Sequence, residues 1–273
     1  MTDSAKKTDR PRRVRIAHLL EAKTHGEPLT MLTAYDAMIA SIFDRAGVDM
    51  LLVGDSIGTT VFGESNTLGV ELADLVRATA SVAKGTQRAL VVADLPFGTY
   101  ETSPEQAFMS AAQLIKAGAH AVKLEGGVRI AEQITQLVLH GIPVVGHVGF
   151  TPQSENALSG PRVQGRGDEA ADKVIEDAVA VQEAGASAVV LEMVPAELAS
   201  KITSILEIPT IGIGAGPGTD GQVLVWSDMA ALTDWQPSFV RVFGQIGAAL
   251  HDAATDYVDA VKSGAFPTRE HSF

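Results

Sequence analysis

The chain has 273 residues, 46% of them hydrophobic and 20% charged, and no cysteine. That length buries a large core in one α/β domain or two modest ones. The missing thiols exclude disulfides, thiolate zinc sites, iron–sulfur clusters and cysteine nucleophiles, which leaves a cytoplasmic setting as the expectation. The net charge is −12, but residues 1–23 hold seven Lys or Arg against three Asp or Glu, leaving −16 for the rest. Such a body repels a phosphate backbone and is no partner for nucleic acid. No apolar run approaches the roughly 18 residues of a membrane span, so no membrane partner is expected.

In chain order, residues 1–15 read as a flexible basic arm carrying Arg10, Arg12, Arg13 and Arg15, and 16–273 as one catalytic domain with no linker or composition shift inside it. Short apolar, β-branched runs follow at 29–35, 48–54, 89–94, 119–125, 143–148, 187–193, 209–214 and 222–226, the pattern of strands buried on both faces. Most are separated by helical patterns that open on a cap or proline and close on glycine, such as 103–118 and 168–185. Alternating strand and helix means a parallel sheet, and eight such units in this length predict a single closed (β/α)8 TIM barrel. The seventh unit is irregular, because only 215–221 separates two strand candidates and no crossover helix fits. Either one strand is misplaced or that connection is abbreviated. Residues 239–264 form a long amphipathic helical pattern, expected to supply the last outer helix and an extension that packs on another subunit.

Each strand run ends in polar or glycine residues, and in a barrel those ends form one mouth, where sites of this fold are built. Asp55, Asp94, Lys123, Glu125, His147 and Glu192 all fall there. A carboxylate just after a strand also serves as the cap of the next helix, but six ionisable groups at one end, with almost none within the strands, point to a site. Asp55, Asp94 and Glu125 come from neighbouring strands two, three and four. Their repulsion is relieved either by a bound cation, Mg²⁺ before zinc given oxygen ligands and no thiolate, or by Lys123 and outer arginines.

Lys123 lies two residues from Glu125 on one strand, so the two point the same way. A strand-end lysine suggests Schiff-base chemistry, yet nearby carboxylates hold its proton on, and it reads better as a fixed positive charge for a substrate carboxylate or oxyanion. His147 is either a donor to an enolate oxygen or a hydrogen-bonded structural histidine, whereas His120, at the opposite end of its strand, reads as structural. Glu192, on strand six across the barrel from the carboxylate cluster, reads as a general base or as the salt-bridge partner of Arg166. The Gly216-Pro-Gly218-Thr-Asp-Gly221 stretch matches a dinucleotide fingerprint, but a strand follows where a helix must start, so the match is discounted. The glycines of Val163-Gln-Gly-Arg-Gly-Asp168 suggest a loop over the mouth.

Thr33-Ala-Tyr-Asp36, Val53-Gly-Asp-Ser56, Ala93-Asp-Leu-Pro-Phe97, Val122-Lys-Leu-Glu-Gly-Gly127, Gly146-His147, Thr151-Pro-Gln-Ser154, Val163-Gln-Gly-Arg-Gly-Asp168, Leu191-Glu192, Gly212-Ile-Gly-Ala-Gly216 and Glu270-His-Ser-Phe273 together resemble, in the same order, the ketopantoate hydroxymethyltransferase family. Ser159-Gly-Pro-Arg162 and Trp226-Ser-Asp228 depart from its pattern, at a loop and at the last strand. The resemblance implies a barrel of the phosphoenolpyruvate/pyruvate type, bound Mg²⁺, a ring-like homo-oligomer (a decamer), and 5,10-methylenetetrahydrofolate as co-substrate of a 2-oxo acid, 3-methyl-2-oxobutanoate. It assigns Asp55, Asp94 and Glu125 to the metal, Asp55, Ser56, Asp94 and Lys123 to substrate, and Glu192 to proton abstraction; the reading of the residues adds Lys123 and His147 as catalytic groups that stabilise an enolate. The residues alone leave room for another Mg²⁺-dependent 2-oxo acid lyase or aldolase that takes no folate, and for a catalytically silent binding protein on the same barrel.

Overall fold

The apolar runs become strands because their backbone groups pair with parallel neighbours while helices cover most of the outer face, which suits β-branched side chains on both sides. A computed structural model describes residues 13–233 and 235–273; Arg10 and Arg12 of the basic arm lie outside the described residues. The chain divides into two compact units, 1–223 and 224–273.

β1 (Leu29–Thr33), β2 (Met50–Val53), β3 (Leu90–Asp94), β4 (Ala121–Glu125), β5 (Val144–Gly149), β6 (Ala188–Glu192), β7 (Thr210–Ile213) and β8 (Gly221–Leu224) close a barrel in sequential order, all but Leu224 lying in the first unit. All ladders with a recorded register are parallel. The abbreviated alternative for the seventh unit is the one found: β7 and β8 pair directly and no helix lies between them. Asp220 makes that short connection work, its Oδ2 accepting the Thr210 amide at 2.8 Å and pairing with Lys23 at 2.8 Å. The eighth strand stops at Leu224, short of the expected 226, because Trp226 begins a one-turn helix, Trp226–Met229.

Caps set the helix starts. Asp36 Oδ1 accepts the amides of Met38 and Ile39 at the head of Ala37–Ala46, so this strand-end carboxylate serves the helix and not the mouth. Ser103 caps Pro104–Ala117, which ends on Gly118 in a left-handed conformation. Of the expected arm 1–15, residues 13–15 are among those described. Val14 is buried in the core, and Arg13 donates to the Thr86 and Ala89 carbonyls. The helix that follows, Ile16–His25, sets Leu19 and Ala22 into the same cluster as Leu29, Met31 and Met50, closing the amino end of the barrel. His120 lies at that end, and its Nδ1 accepts the Val91 amide at 2.9 Å, the structural role read from its position.

The barrel interior follows from the two-residue period of strands. Leu90 and Val92 on β3, Ala121 on β4, Val145 on β5, and Ala188 and Val190 on β6 all belong to one buried cluster. Two residues further along each strand come Asp94, Lys123, His147 and Glu192, and Glu125 follows Lys123 on the same face. In the second unit, the helix Ile246–Ser263 falls within the expected 239–264 and has no buried residue. Residues 264–271 fold back on it, with the Phe266 ring edge-on to Tyr257 and tilted against His271.

Candidate active site

The last inward residues of four consecutive strands are ionisable, and the parallel ladders bring them side by side. Asp94 pairs in register with Lys123, Glu125 with His147, and Gly149 with Glu192. Asp94 Oδ1 lies 2.9 Å from Lys123 Nζ, and Lys123 Nζ lies 3.4 Å from His147 Nδ1. His147 in turn makes ion-pair contacts with Glu125 through Nδ1 at 3.3 Å and with Glu192 through Nε2 at 3.2 Å. Asp55, one turn beyond β2, joins the row where its amide donates to Asp94 Oδ2 at 3.0 Å. The six candidates thus form one continuous row of ionisable residues across the mouth. Five of them are buried, and Glu192 is the one that reaches the surface, with 17% of its side chain exposed.

Glu192 therefore does not stand apart across the barrel as expected; His147 ties it to Glu125. Arg166, the other partner considered for it, is exposed. The Gly-rich loop is anchored beside Glu192 instead, by the Gln164 amide donating to the Met193 carbonyl at 2.8 Å. Met193 holds φ +47°, a costly conformation for a side-chain-bearing residue, immediately after the candidate base. Gly149 allows the close approach behind Glu192: it has φ +92°, and a Cβ there would lie 2.3 Å from the Glu192 carbonyl oxygen.

Burial and crowding set the protonation states. The Asp55 carboxyl is pushed up to about 8 by burial and by the charges of Asp94 and Glu125, which outweigh Lys123 and the Gln153 amide. Asp94 is also raised, because burial outweighs its pairing with Lys123. Burial would raise Glu125 too, but His147, Lys123 and the Gln153 amide hold it below its usual range. Burial and Lys123 work against charge on His147, yet Glu125 and Glu192 raise it to about 9. Burial likewise opposes charge on Lys123, and Asp94, Glu125 and Asp55 together raise it above the ordinary lysine value. At neutral pH the row holds a lysinium and an imidazolium, and Asp55 and Asp94 are both carboxyls that burial hinders from ionising.

Asp55, Asp94 and Glu125 do not converge as a three-carboxylate cage. Among the described residues no three His, Asp or Glu side chains are grouped as round a metal, because Glu125 turns to His147 and accepts the Gln153 amide at 2.9 Å. Asp55 and Asp94 remain adjacent, the Asp55 amide donating to Asp94 Oδ2 at 3.0 Å while Lys123 Nζ stands 2.9 Å from Asp94 Oδ1. Two neighbouring hard oxygen donors, one on a carboxyl that burial and like charge keep from ionising until further positive charge arrives, fit Mg²⁺, which is commonly bound through one or two carboxylates, with water and substrate oxygens completing its shell.

Ser56, beside Asp55, shares a 2.8 Å hydrogen bond with the Tyr35 hydroxyl. Sequence reasoning missed Tyr35, Tyr100 and Gln153. The last two are buried under the mouth and bonded to Asp55 and Glu125. The available signal was the Thr151-Pro-Gln-Ser154 turn directly after β5, where Pro152 opens a 3-10 turn that carries Gln153 back over the strand ends.

The profile of the family described as ketopantoate hydroxymethyltransferase matches residues 13–269. The 3-methyl-2-oxobutanoate hydroxymethyltransferase of Mycobacterium sp. (strain KMS) is 55% identical over 269 residues, covering 97% of this chain and 95% of the relative. That of Thermobifida fusca (strain YX) is 54% identical over 263 residues, covering 96% and 94%. Among solved structures, phosphonopyruvate hydrolase in complex with oxalate and Mg++ superposes with a TM-score of 0.62 at 13% identity, covering 94% of this chain and 92% of that one. The 2,3-dimethylmalate lyase, a PEP mutase/isocitrate lyase superfamily member, gives 0.60 at 16%, covering 94% and 91%. At such identities these two likenesses speak for the fold alone.

Proposed function

The chain belongs to the ketopantoate hydroxymethyltransferase family, and from that membership we propose that its barrel mouth transfers a hydroxymethyl group from 5,10-methylenetetrahydrofolate to 3-methyl-2-oxobutanoate. With water consumed, the products are tetrahydrofolate and 2-dehydropantoate. The observation that carries the residue roles is the unbroken row Asp55, Asp94, Lys123, His147, Glu125 and Glu192 at one end of the barrel.

Asp55 and Asp94 would hold Mg²⁺, with Ser56 next to them on the substrate side. An ion held there would supply positive charge at the 2-oxo oxygen, next to the carboxylate, and so make the C3 proton more acidic. Lys123, kept protonated by three carboxylates, presents a fixed cation to the oxygen on which charge develops and is a poor amine nucleophile. Glu192, the carboxylate with solvent access, accepts the proton from C3. His147 carries its proton at working pH, so it acts as a donor that orients Glu192 and Glu125 and does not compete as base. The C3 carbanion then attacks the one-carbon unit delivered by folate, forming the new carbon–carbon bond.

The reading includes a homo-oligomer. Ile246, Leu250, Tyr257 and Val261 are exposed at helical spacing along Ile246–Ser263, an apolar stripe of the kind that partners cover. No helix among the described residues is long and apolar enough to cross a membrane. The test is solvent deuterium uptake at C3 of 3-methyl-2-oxobutanoate, followed by 2-dehydropantoate formation that requires the folate. Product formed without folate, or no exchange in the presence of Mg²⁺, refutes it.

A further inference from the structure

Gln153 is only 5% exposed, and its side-chain amide uses every polar atom it has. Nε2 donates to Asp55 Oδ2 and to the Leu95 carbonyl, both at 2.9 Å. Oε1 accepts the Tyr100 hydroxyl at 2.7 Å. The amide orientation is chemically forced. The Leu95 carbonyl can only accept, so the NH₂ must face it, and the phenol must then donate to Oε1. Gln153 reaches the second carboxylate through its main chain, whose amide donates to Glu125 Oε2 at 2.9 Å. Tyr100 completes the lock from the other side, its hydroxyl oxygen accepting the Glu125 amide at 3.2 Å.

We propose that Gln153, held by Tyr100, is a positioning residue that aims the Asp55 and Glu125 carboxylates at the bound 2-oxo acid. The inference rests on the functional reading above. One residue links two acids, Asp55 just beyond β2 and Glu125 on β4, that repel each other. A glutamate at position 153 has the right size and the wrong polarity, because it sets two acceptors against Asp55 and the Leu95 carbonyl. Methionine keeps the length and removes every hydrogen bond of the side chain.

The test compares wild type, Gln153→Met and Tyr100→Phe by circular dichroism, C3 deuterium exchange and steady-state kinetics. Groups that orient ligating carboxylates typically change affinity or activity on the order of 10- to 100-fold. Gln153→Met is therefore expected to raise the KM for 3-methyl-2-oxobutanoate by that factor and leave the KM for methylenetetrahydrofolate unchanged. Tyr100→Phe shifts the same constant in the same direction by less, and decides the matter alone if Gln153→Met does not fold. Folded variants with an unchanged oxo acid KM overturn the proposal, and so does a fall in kcat with both KM values unchanged, which is the signature of a smaller active fraction. If wild type itself neither exchanges nor turns over, the functional reading fails. Crystal structures of the variants then decide the positioning claim: an Asp55 carboxylate that has swung away from its wild-type orientation supports it, and one that has not moved overturns it.

Discussion

Replacing Gly149 by alanine tests the geometry behind Glu192 without touching an ionisable group. The new Cβ would lie 2.3 Å from the Glu192 carbonyl oxygen and 2.8 Å from Val194 Cγ1. Real Cβ contacts do not fall below 3.0 Å, so the two strand ends must part by at least 0.7 Å. That parting stretches the hydrogen bond from the Phe150 amide to the Glu192 carbonyl, now 2.8 Å. The left-handed backbone at φ +92° costs an L-residue about 1–2 kcal/mol, and loss of the hydrogen bond adds about 1 kcal/mol. A total of about 2–3 kcal/mol lowers Tm by roughly 5–10 °C in a protein of this size. A catalytic group displaced by close to 1 Å costs on the order of 100-fold in rate. Calorimetry and C3 deuterium exchange measured below the new Tm are the assays. The expected result is a folded protein with normal oxo acid binding and exchange slowed by about two orders of magnitude. Exchange at the wild-type rate together with an unchanged Tm would refute both the close approach and the role assigned to Glu192.

Glu192→Gln keeps size and removes basicity, so exchange and overall turnover should fall together by a factor on the order of 10² to 10⁴, with oxo acid binding by titration calorimetry nearly unchanged. Exchange that survives while turnover falls assigns the base to another group. A chelator should abolish exchange and added Mg²⁺ should restore it, because Asp55 ionises poorly beside Asp94 and Glu125 unless further positive charge is present; full exchange in metal-free enzyme contradicts the assignment of Asp55 and Asp94. His120 should make the fold acid-sensitive. Burial, with Arg13 and Arg15 nearby, lowers its pKa from 6.5, so the folded state binds fewer protons than the unfolded one, and the stability this contributes is complete above 6.5 and lost as pH falls through the lowered value. Urea unfolding at pH 7.5 and 5.5 should show a smaller acid loss for His120→Asn, which keeps an acceptor for the Val91 amide, than for wild type; identical losses rule His120 out as the source.

The order of the barrel and the inward positions of the charged residues were legible in the sequence, because both depend on local periodicity. Buried parallel strands are near-continuous apolar runs, and a two-residue period fixes that Lys123 and Glu125 face the interior if Ala121 does. The same period placed His147 above Val145 and Glu192 above Val190. What the period does not encode is which neighbour each polar tip meets, since that depends on the stagger between strands and on loops that return over the mouth. The tertiary structure therefore decided that Glu192 is joined to Glu125 through His147, that Lys123 spends its charge on Asp94, and that Glu125 is turned away from Asp55. It also decided that Gln153 and Tyr100 belong to the site, as a 3-10 turn and a loop residue with no charge to draw attention to them. Helix Ile16–His25 closes the amino end for the same kind of reason: its few apolar residues give a weak stripe in sequence, and only the closed barrel supplies the cavity into which Leu19 and Ala22 pack. Local chemistry says which way a residue points along its own strand, and closure of eight strands into one ring determines what it touches.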